Sequence, residues 1–199
     1  MIDIDGLPIL GPYEFVFQGC RYTYRGQFRD GRMHGIGTQV SHDGHIYEGM
    51  WRDGKADGYG IFVSSRGSYY AGGWRDDMRH GQAVYVDDQL NTHKGNFKDD
   101  QMNGYFEIDY KDGKVFGGYF KNGLKHGRGN FTWPDGSFHR FTYVRGRKHG
   151  FALKLNSDNT LSNGFNVDGV YRGYYNYTTS DNVAVDAIKT AENRDVVLD

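Results

Sequence analysis

Apolar and polar residues alternate along most of this chain in short runs that end at turns containing Asp or Gly. The run YEGMW places Tyr47, Gly49 and Trp51 on one face, because side chains alternate between the two faces of a β-strand. Residues 52–55 (RDGK) form a predicted turn, since Asp and Gly adopt left-handed backbone readily. Residues 58–64 form the return strand. The pattern therefore predicts β-hairpins with strands of about six residues, joined throughout by turns.

This hairpin recurs every 23 residues without an insertion or deletion. A glycine column comprises Gly35, Gly58, Gly81, Gly104, Gly127, Gly150 and Gly173. A second glycine column comprises Gly26, Gly49, Gly72, Gly95, Gly118 and Gly164, with Phe141 as its exception. An aromatic column lies two residues later and comprises Phe28, Trp51, Trp74, Phe97, Phe120 and Tyr143. Columns that stay in register over so much of the chain predict a repeat array without a central core.

The glycines are predicted to have a packing role. Gly58 and Gly60 would share a face, so that an aromatic ring from an adjoining strand lies flat over bare backbone. Stacking of the aromatic column from repeat to repeat would give a continuous aromatic spine of Phe28, Trp51, Trp74, Phe97 and Phe120. Six to seven such repeats would extend roughly 60 Å, since strands in a sheet lie about 4.8 Å apart.

These columns closely resemble the MORN repeat, whose pattern is approximately Y-x-G-x-W-x-x-G-x-x-H-G-x-G. Residues 47–60 (YEGMWRDGKADGYG) match it at nearly every position, and 116–129 (FGGYFKNGLKHGRG) match with Phe at both aromatic positions. The resemblance implies an elongated, single-layer, twisted antiparallel β-hairpin meander of about seven repeats. It also implies binding to proteins, roles in cytoskeletal and ciliary assemblies and, for some members, binding to phospholipids. Ala83, Phe106 and Phe141 replace glycines of the pattern.

Three segments are predicted along the chain: an N-terminal segment 1–12, the array 13–177 and a C-terminal segment 178–199. Residues 13–18 (YEFVFQ) alternate like a strand that caps the first repeat. Residues 180–199 lack glycine, and Ser180 or Asp181 is suited to cap a helix. A short helix docked on the last hairpin and a disordered tail both remain open for this segment.

Composition and charge narrow the functional classes. The chain contains 30 Gly and 16% aromatic residues, which suits short strands and tight turns. A formal net charge of −1 gives no general attraction to nucleic acid. Cys20 is the single cysteine, so an intramolecular disulfide is excluded. The sequence shows neither a signal peptide nor a long apolar run, which predicts a cytoplasmic protein.

No residue pattern predicts catalysis, a cofactor or a metal. The histidines of one column lie on separate hairpins, too far apart to share a metal ion, and are interpreted as turn residues: His34, His80, His126 and His149. Stretches such as Gly35-Ile36-Gly37 lack the strand–loop–helix context and the Lys-Ser/Thr of a phosphate loop.

A basic column precedes each hairpin turn and is a weak candidate for binding phosphoinositide headgroups: Arg29, Arg52, Arg75, Lys98 and Lys121. An acidic column follows it directly and largely cancels its field: Asp30, Asp53, Asp76 and Asp99, with Asn122 in the next repeat. Aromatic residues are the usual anchors of protein interfaces, so Trp51, Trp74 and Phe97 are the predicted contacts for a partner helix or extended peptide along the sheet.

The preferred hypothesis is a non-catalytic scaffold that binds proteins within a large assembly, ciliary (axonemal) or cytoskeletal by family analogy. The alternatives are a peripheral membrane module that binds phosphoinositides and an accessory subunit of an organellar complex, for example a mitochondrial one. Regulation of an enzyme is expected only in trans, because about 22 residues follow position 177.

Overall fold

The computed structural model describes residues 7–17 and 19–178, the last eight of these by their backbone alone. Strands and turns account for the ordered structure of this part of the chain, which contains no helix. The strands are β1 (Leu10–Phe17), β2 (Cys20–Arg29), β3 (Arg32–Ser41), β4 (Ile46–Arg52), β5 (Lys55–Val63), β6 (Tyr69–Arg75), β7 (Met78–Val86), β8 (Thr92–Lys98), β9 (Gln101–Asp109), β10 (Val115–Lys121), β11 (Leu124–Thr132), β12 (Phe138–Val144), β13 (Arg147–Leu155), β14 (Thr160–Val167) and β15 (Val170–Thr178).

The chain divides into two compact units, Met1–Leu124 and Lys125–Asp199. In the first unit, β1 to β10 are hydrogen-bonded in chain order, and every pair is antiparallel. In the second unit, β11 to β15 are paired in the same way. The predicted all-β antiparallel hairpin meander is confirmed. Its strands, at seven to ten residues, are longer than predicted.

The turns between the two strands of each repeat follow the prediction. The first turn residue has a positive φ of 48–51° at Asp30, Asp53, Asp76, Asp99, Asn122, Arg145 and Asp168. The next residue also has a positive φ, as in the two-residue turns that match the twist of a hairpin. Successive turns are joined by backbone hydrogen bonds: the N–H of Gly54 donates to the Met33 carbonyl at 2.8 Å, and the N–H of Asp77 donates to the Ala56 carbonyl at 3.0 Å. Within each unit these turns therefore line one edge of the sheet, which we call the turn edge.

The prediction that Gly58 and Gly60 share a face is wrong. A side chain at Gly60 would overlap the Tyr47 ring, whereas one at Gly58 would meet Met50, on the other face of β4. The cause is a register shift between Gly49 and Trp51, where β5 accommodates extra residues and Gly58 adopts a φ of 109°. A positive φ, which favours glycine, occurs at Gly58 and at its column equivalents Gly35, Gly81, Gly104, Gly127 and Gly150. The room for the ring is made by a different glycine column.

The aromatic spine exists, but two columns build it rather than one. Tyr47 lies edge-on between Trp51 and Trp74, with ring centroids 4.9 Å and 5.3 Å away. Tyr70 lies in the same way between Trp74 and Phe97, at 5.0 Å and 5.5 Å. Edge-to-face pairs of this kind add to the burial of apolar area. Tyr47 and Tyr70, together with Tyr24 at the same position of the first repeat, thus join the rings that were predicted to stack on one another.

The polar atoms of the spine bond to backbone carbonyls. The Tyr47 hydroxyl donates to the Met50 carbonyl at 3.0 Å, and the Tyr70 hydroxyl donates to the Gly73 carbonyl at 2.8 Å. Tyr24 repeats this bond with Gln27 at 3.0 Å. The Trp51 and Trp74 indoles donate to the carbonyls of Gly37 and Gly60. The rings are therefore buried without leaving a donor unpaired, which would be costly.

Alkaline pH is expected to destabilise the spine. Burial raises the pKa of Tyr70 to about 12 and also raises the pKa of Tyr24 and Tyr47. These neutral phenols contribute stability fully below the unfolded pKa of 10.0, and the contribution is lost as pH rises through the folded values. Each buried tyrosine should lower the free energy of unfolding by on the order of 1.4 kcal/mol per pH unit above pH 10. Denaturant titrations at pH 8 to 12 measure this slope, and Tyr70→Phe should make it shallower. A flat profile up to pH 12 would contradict the burial of the phenols.

In the fourth repeat a different residue supplies the ring that covers the strand glycine. His93 takes the position of Tyr47 and Tyr70 in the repeat, but its Nε2 lies 3.0 Å from Asp87 Oδ2. A Cβ at Gly95 would overlap the ring of Phe106 from the next strand. Phe106 is fully buried and contacts Phe97, with ring centroids 5.3 Å apart. Phe106, which replaces a glycine of the repeat pattern, thus keeps the spine continuous.

The Asp87 carboxylate that bonds to His93 is held in place by several further hydrogen bonds. Burial alone would raise the pKa of this carboxyl, but hydrogen bonds from Asn91, His93 and the backbone N–H of Gln89 lower the pKa to about 2. Asn91 N and Nδ2 both donate to it at 2.9 Å. The ionised Asp87 therefore keeps the His93 ring at the loop between β7 and β8.

The ends of the array lie at β1 and β15. β1 begins at Leu10, three residues before the predicted start of the array, and pairs with β2 from Tyr13 to Phe17. β15 ends at Thr178. The predicted helix or tail of 178–199 lies, apart from Thr178, outside the described residues.

Candidate protein-binding face

The face of the sheet opposite the spine, which we call the open face, carries exposed apolar side chains in β3 to β7. They are Ile36, Val40, Ile46, Met50, Tyr59 and Val84, each 38–60% exposed, and we call them the open-face patch. Strand register brings them together: Ile36 is opposite Met50, and Val40 is opposite Ile46. The same row continues through Val63, Tyr69 and Val86.

Charged residues mark the limits of this patch. Glu48 lies between Ile46 and Met50 on the open face of β4. Arg52 follows Met50 in the same phase at the end of β4 and pairs with Asp57 at 3.0 Å. Beyond β7, Lys94 of β8 bonds to Glu107 at 3.2 Å and to Asp109 at 2.8 Å on β9. An ion-paired cluster on the same face therefore interrupts the apolar surface, and exposed aromatic residues resume beyond it at Tyr105 and Tyr119.

The dimensions of the patch limit the size of a partner that would fit it. Five strands and three alternate positions per strand cover about 24 Å by about 14 Å, or about 330 Å². The largest apolar patch on a typical single-chain protein covers about 300–600 Å² and is often functional. A stable dimer buries about 800 Å² on each partner, which is more than twice this area. The patch therefore fits one segment of a partner better than a whole second domain.

The residues predicted to contact a partner lie on the other face. Trp51 and Phe97 are 5% and 2% exposed, and Trp74 is half-buried between Tyr47 and Tyr70. Partner contact by Trp51, Trp74 and Phe97 stays a prediction, but their burial means that they chiefly hold the sheet together. The exposed side chains of the open face are better placed to meet a partner.

The basic column lies at the turn edge beside acidic residues. Arg75 Nη2 lies 2.7 Å from Asp99 Oδ1 of the next repeat, and Arg52 Nη2 lies 3.0 Å from Asp57 Oδ1. The remaining members, Arg29, Lys98 and Lys121, are also exposed. Binding of phosphoinositides by this column stays a prediction, and its arginines would have to exchange carboxylates for phosphates.

The histidine column also lies beside the acidic column. His34 Nδ1 is 3.8 Å from Asp53 Oδ1, and His80 Nδ1 is 3.3 Å from Asp99 Oδ1, in neither case as a complete hydrogen bond. Within the residues that the structure describes, no three His, Cys, Asp or Glu side chains are grouped as metal ligands would be. In the same part of the chain, no helical segment has the length and apolar character of a membrane span.

The sequence prediction missed the open-face patch because it compared equivalent positions between repeats. The patch does not recur as a whole: Gly73 and Gln82 occupy the positions of Met50 and Tyr59 in the next repeat, although Tyr105 repeats Tyr59 two repeats later. The available signal was the alternation within each strand, where Ile46 and Met50 occupy the phase opposite to Tyr47 and Trp51.

The chain is similar to the TCP domain of SAS-4 (dCPAP) of Drosophila melanogaster, solved in complex with a proline-rich motif of Ana2 (dSTIL). The identity is 12%, the match covers 85% of this chain and 98% of that chain, and the TM-score is 0.40. It is also similar to a mutant TCP10 domain of Danio rerio CPAP, with 13% identity, 84% and 99% coverage and a TM-score of 0.22. At these values the likenesses carry no conclusion about function. A search of curated proteins finds no match.

The family comparison is specific. The model of the MORN repeat matches residues 24–46, 47–69, 70–89, 93–114 and 118–138, which together are more than half of the chain. Five matched repeats are fewer than the seven predicted from the columns, although the hairpins continue to Thr178. MORN proteins are structural repeat proteins that interact with proteins or membranes and are generally non-catalytic. The chain belongs to the MORN-repeat family.

Proposed function

We propose that this chain is a non-catalytic scaffold that binds a partner protein through the open-face patch. The observation that carries the proposal is the exposure of Ile46, Met50 and Tyr59 on the face opposite a fully packed aromatic spine. Burying such side chains against a partner stabilises a complex by about 25 cal/mol for each Å² of apolar area. The patch lies in a continuous run of paired strands, so its shape exists before the partner binds.

The partner segment that we propose is an amphipathic helix. The open face offers side chains only, because the backbone groups of β3 to β7 are paired with neighbouring strands. An extended peptide lying on it would leave its own N–H and C=O groups against apolar surface, which is costly. A helix satisfies these groups internally, and about 16 residues span the 24 Å width of the patch. A Lys or Arg on that helix would meet Glu48.

The assembly that we propose is ciliary or cytoskeletal, and family membership alone supports this assignment. Regular repeats suit a protein that sets spacing within such an assembly. If the chain were recovered together with organellar proteins, for example mitochondrial ones, an organellar complex would replace this assignment. If the chain floats with phosphoinositide vesicles and salt weakens this flotation, the proposal of protein binding would be replaced by one of membrane binding through the turn edge.

Tyr59→Asp is expected to reduce recovery of the partner at least tenfold in cross-linking and purification of the full chain. The reason is that a carboxylate placed in an apolar interface must be desolvated without a counterion. Tyr105→Asp is the matched control, because Tyr105 occupies the same repeat position two repeats later, at similar exposure, but beyond the Lys94 cluster. Partner recovery that is the same with both variants, or the isolation of wild type only as a free monomer, would contradict the proposal.

A further inference from the structure

Strand β1 is the outermost strand of the first unit, and no strand of the described residues lies on its outer side. Tyr13, Val16 and Phe17 of this strand are 51–67% exposed. The terminal unit of a repeat array usually presents a polar outer surface, which keeps the array soluble. In β1, Glu14 is the single charged residue. The edge is therefore more apolar than the end of an isolated array requires.

The backbone of β1 has hydrogen-bonding groups that point away from the sheet. Phe17 is opposite Cys20, so two residues join β1 to β2. The pair beside a turn of this length is hydrogen-bonded, and bonded positions alternate along an antiparallel pair. The odd-numbered residues from Tyr13 to Phe17 therefore bond to β2, whereas the N–H and C=O groups of Glu14 and Val16 point outward. Unpaired groups of this kind pair readily with another strand.

The aromatic spine also ends at this edge. Tyr13 lies edge-on to Phe28, with ring centroids 5.5 Å apart, and Phe15 packs against the same buried cluster. Phe17 occupies the same phase of the strand, so three rings of β1 lie on the spine face. Within the unit a spine ring has aromatic neighbours on both sides, as Tyr47 has. Tyr13 and Phe17 instead expose more than half of their surface.

We propose that β1 pairs with β1 of a second copy of this chain, antiparallel and about a two-fold axis at Phe15. In this register Glu14 of each copy exchanges both backbone hydrogen bonds with Val16 of the other copy. On the spine face Phe15 meets its own counterpart, and Tyr13 meets Phe17 of the other copy. Aromatic pairs across strands stabilise a sheet. Because the axis is perpendicular to the sheet, the spine of the first unit continues into the second copy.

The sequence of β1 favours its own copy in this one register. A register centred on Glu14 would set two carboxylates opposite each other and would pair Val16 with Pro12, which has no N–H to donate. A register centred on Val16 would set Tyr13 opposite Gly19, which has no ring. The proposed register has neither fault. A partner strand must offer an unpaired edge and rings in the matching phase, and β1 itself meets both conditions.

The interface is short, because the register shift between Leu10 and Tyr13 limits the regular edge to residues 13–17, about 17 Å long. It buries less than the area of about 800 Å² that a stable dimer buries on each partner. We therefore expect a reversible dimer with a dissociation constant on the order of 10 µM. The pairing does not depend on the proposed function, since β1 lies outside the open-face patch.

Sedimentation velocity of the full chain at about 1–200 µM tests whether the dimer forms. We expect the sedimentation coefficient to rise with concentration as monomers associate, and a chain that stays monomeric throughout would overturn the proposal. Hydrogen exchange then locates the interface. The amides of Glu14 and Val16 should exchange about fivefold more slowly at the highest concentration, whereas the Phe15 amide should be protected at both. A dimer in which Glu14 and Val16 exchange as fast as in the monomer would also overturn it.

Val16→Pro removes one outward N–H from each copy and retains the bonds to β2, since proline is tolerated where the N–H of an edge strand faces solvent. It should raise the dissociation constant of the dimer at least tenfold. Val16→Ala is the matched control, because it retains the N–H, and should change the constant by no more than about threefold. Equal constants for the two variants would overturn the proposal.

A second pair of variants decides if Val16→Pro fails to fold. Phe17→Lys places on the edge a charge of the kind that prevents strands from pairing, and should also raise the dissociation constant at least tenfold. Leu90→Lys is its control, because Leu90 is 58% exposed, close to the 60% of Phe17, and lies in the loop between β7 and β8. It should dimerise as wild type does. The same constant for both lysine variants would overturn the proposal.

Discussion

Replacing Trp74 by alanine is expected to lower the free energy of unfolding by about 3 kcal/mol. The Trp74 ring lies edge-on to both Tyr47 and Tyr70, so its removal interrupts the spine at two contacts. It also leaves the Gly60 carbonyl without the indole donor that lies 3.2 Å away. Because a repeat array is stabilised at the interfaces between neighbouring repeats, this loss should weaken the packing of adjacent repeats rather than the stability of one hairpin alone.

Arg75→Ala is the matched control for this variant, since Arg75 is the next residue and lies at the turn edge. Its ion pair with Asp99 is about half exposed at both side chains, and surface pairs of this kind contribute about 0–1 kcal/mol. Urea denaturation of the two variants measures the difference. Equal midpoints for wild type and the Trp74 variant would show that the spine does not stabilise the sheet.

Replacing Phe106 by glycine, the residue that the repeat pattern calls for, is expected to destabilise the protein by about 3–5 kcal/mol. Phe106 is fully buried against Gly95, Phe97 and Phe120. Glycine would leave a cavity there, because His93 bonds to Asp87 and does not fill this site.

Adding His93→Tyr to the Phe106→Gly variant should restore part of the lost stability. The new tyrosine would occupy the position of Tyr47 and Tyr70 and cover Gly95 as they cover their own glycines. Its hydroxyl would reach the carbonyl three residues later, at Asn96. His93→Tyr alone, in the presence of the Phe106 ring, should be destabilising because two rings would compete for one site. Thermal unfolding of the three variants gives the coupling between the two positions. If the stability changes of the two single variants simply added in the double variant, the account in which either Phe106 or a tyrosine at position 93 covers Gly95 would be contradicted.

The parts of the fold that were predictable from the sequence depend on local spacing. Asp53 and Gly54 in a two-residue turn, and the alternation of Tyr47 and Trp51, follow from backbone preferences and strand periodicity. The face of Gly58 was not predictable in this way, because a bulge changes the alternation and is visible only in the pairing of β4 with β5. The role of Phe106 depends on which of two adjacent strands supplies a ring, which repeat spacing alone does not specify.

The candidate site was harder to predict than the fold. Columns that recur identify the residues each repeat needs to pack against the next, and the structure places Trp51 and Phe97 among them. A site for one partner does not need to recur, so Met50 differs from its counterparts Gly73 and Asn96, and Tyr59 differs from Gln82 in the next repeat. The recurring columns therefore identify the residues of the spine but not those of the open-face patch.

Hydroxyl-radical footprinting of the isolated protein and of its cross-linked complex is the most direct test of two faces with different roles. In the isolated protein, Met50 and Tyr59 should be oxidised readily, whereas the buried Tyr47 and Tyr70 should react little. In the complex, Met50 and Tyr59 should become protected while Tyr105 reacts as before. Rapid oxidation of Tyr47 and Tyr70 in the isolated protein, or unchanged oxidation of Met50 and Tyr59 in the complex, would contradict the assignment of the two faces.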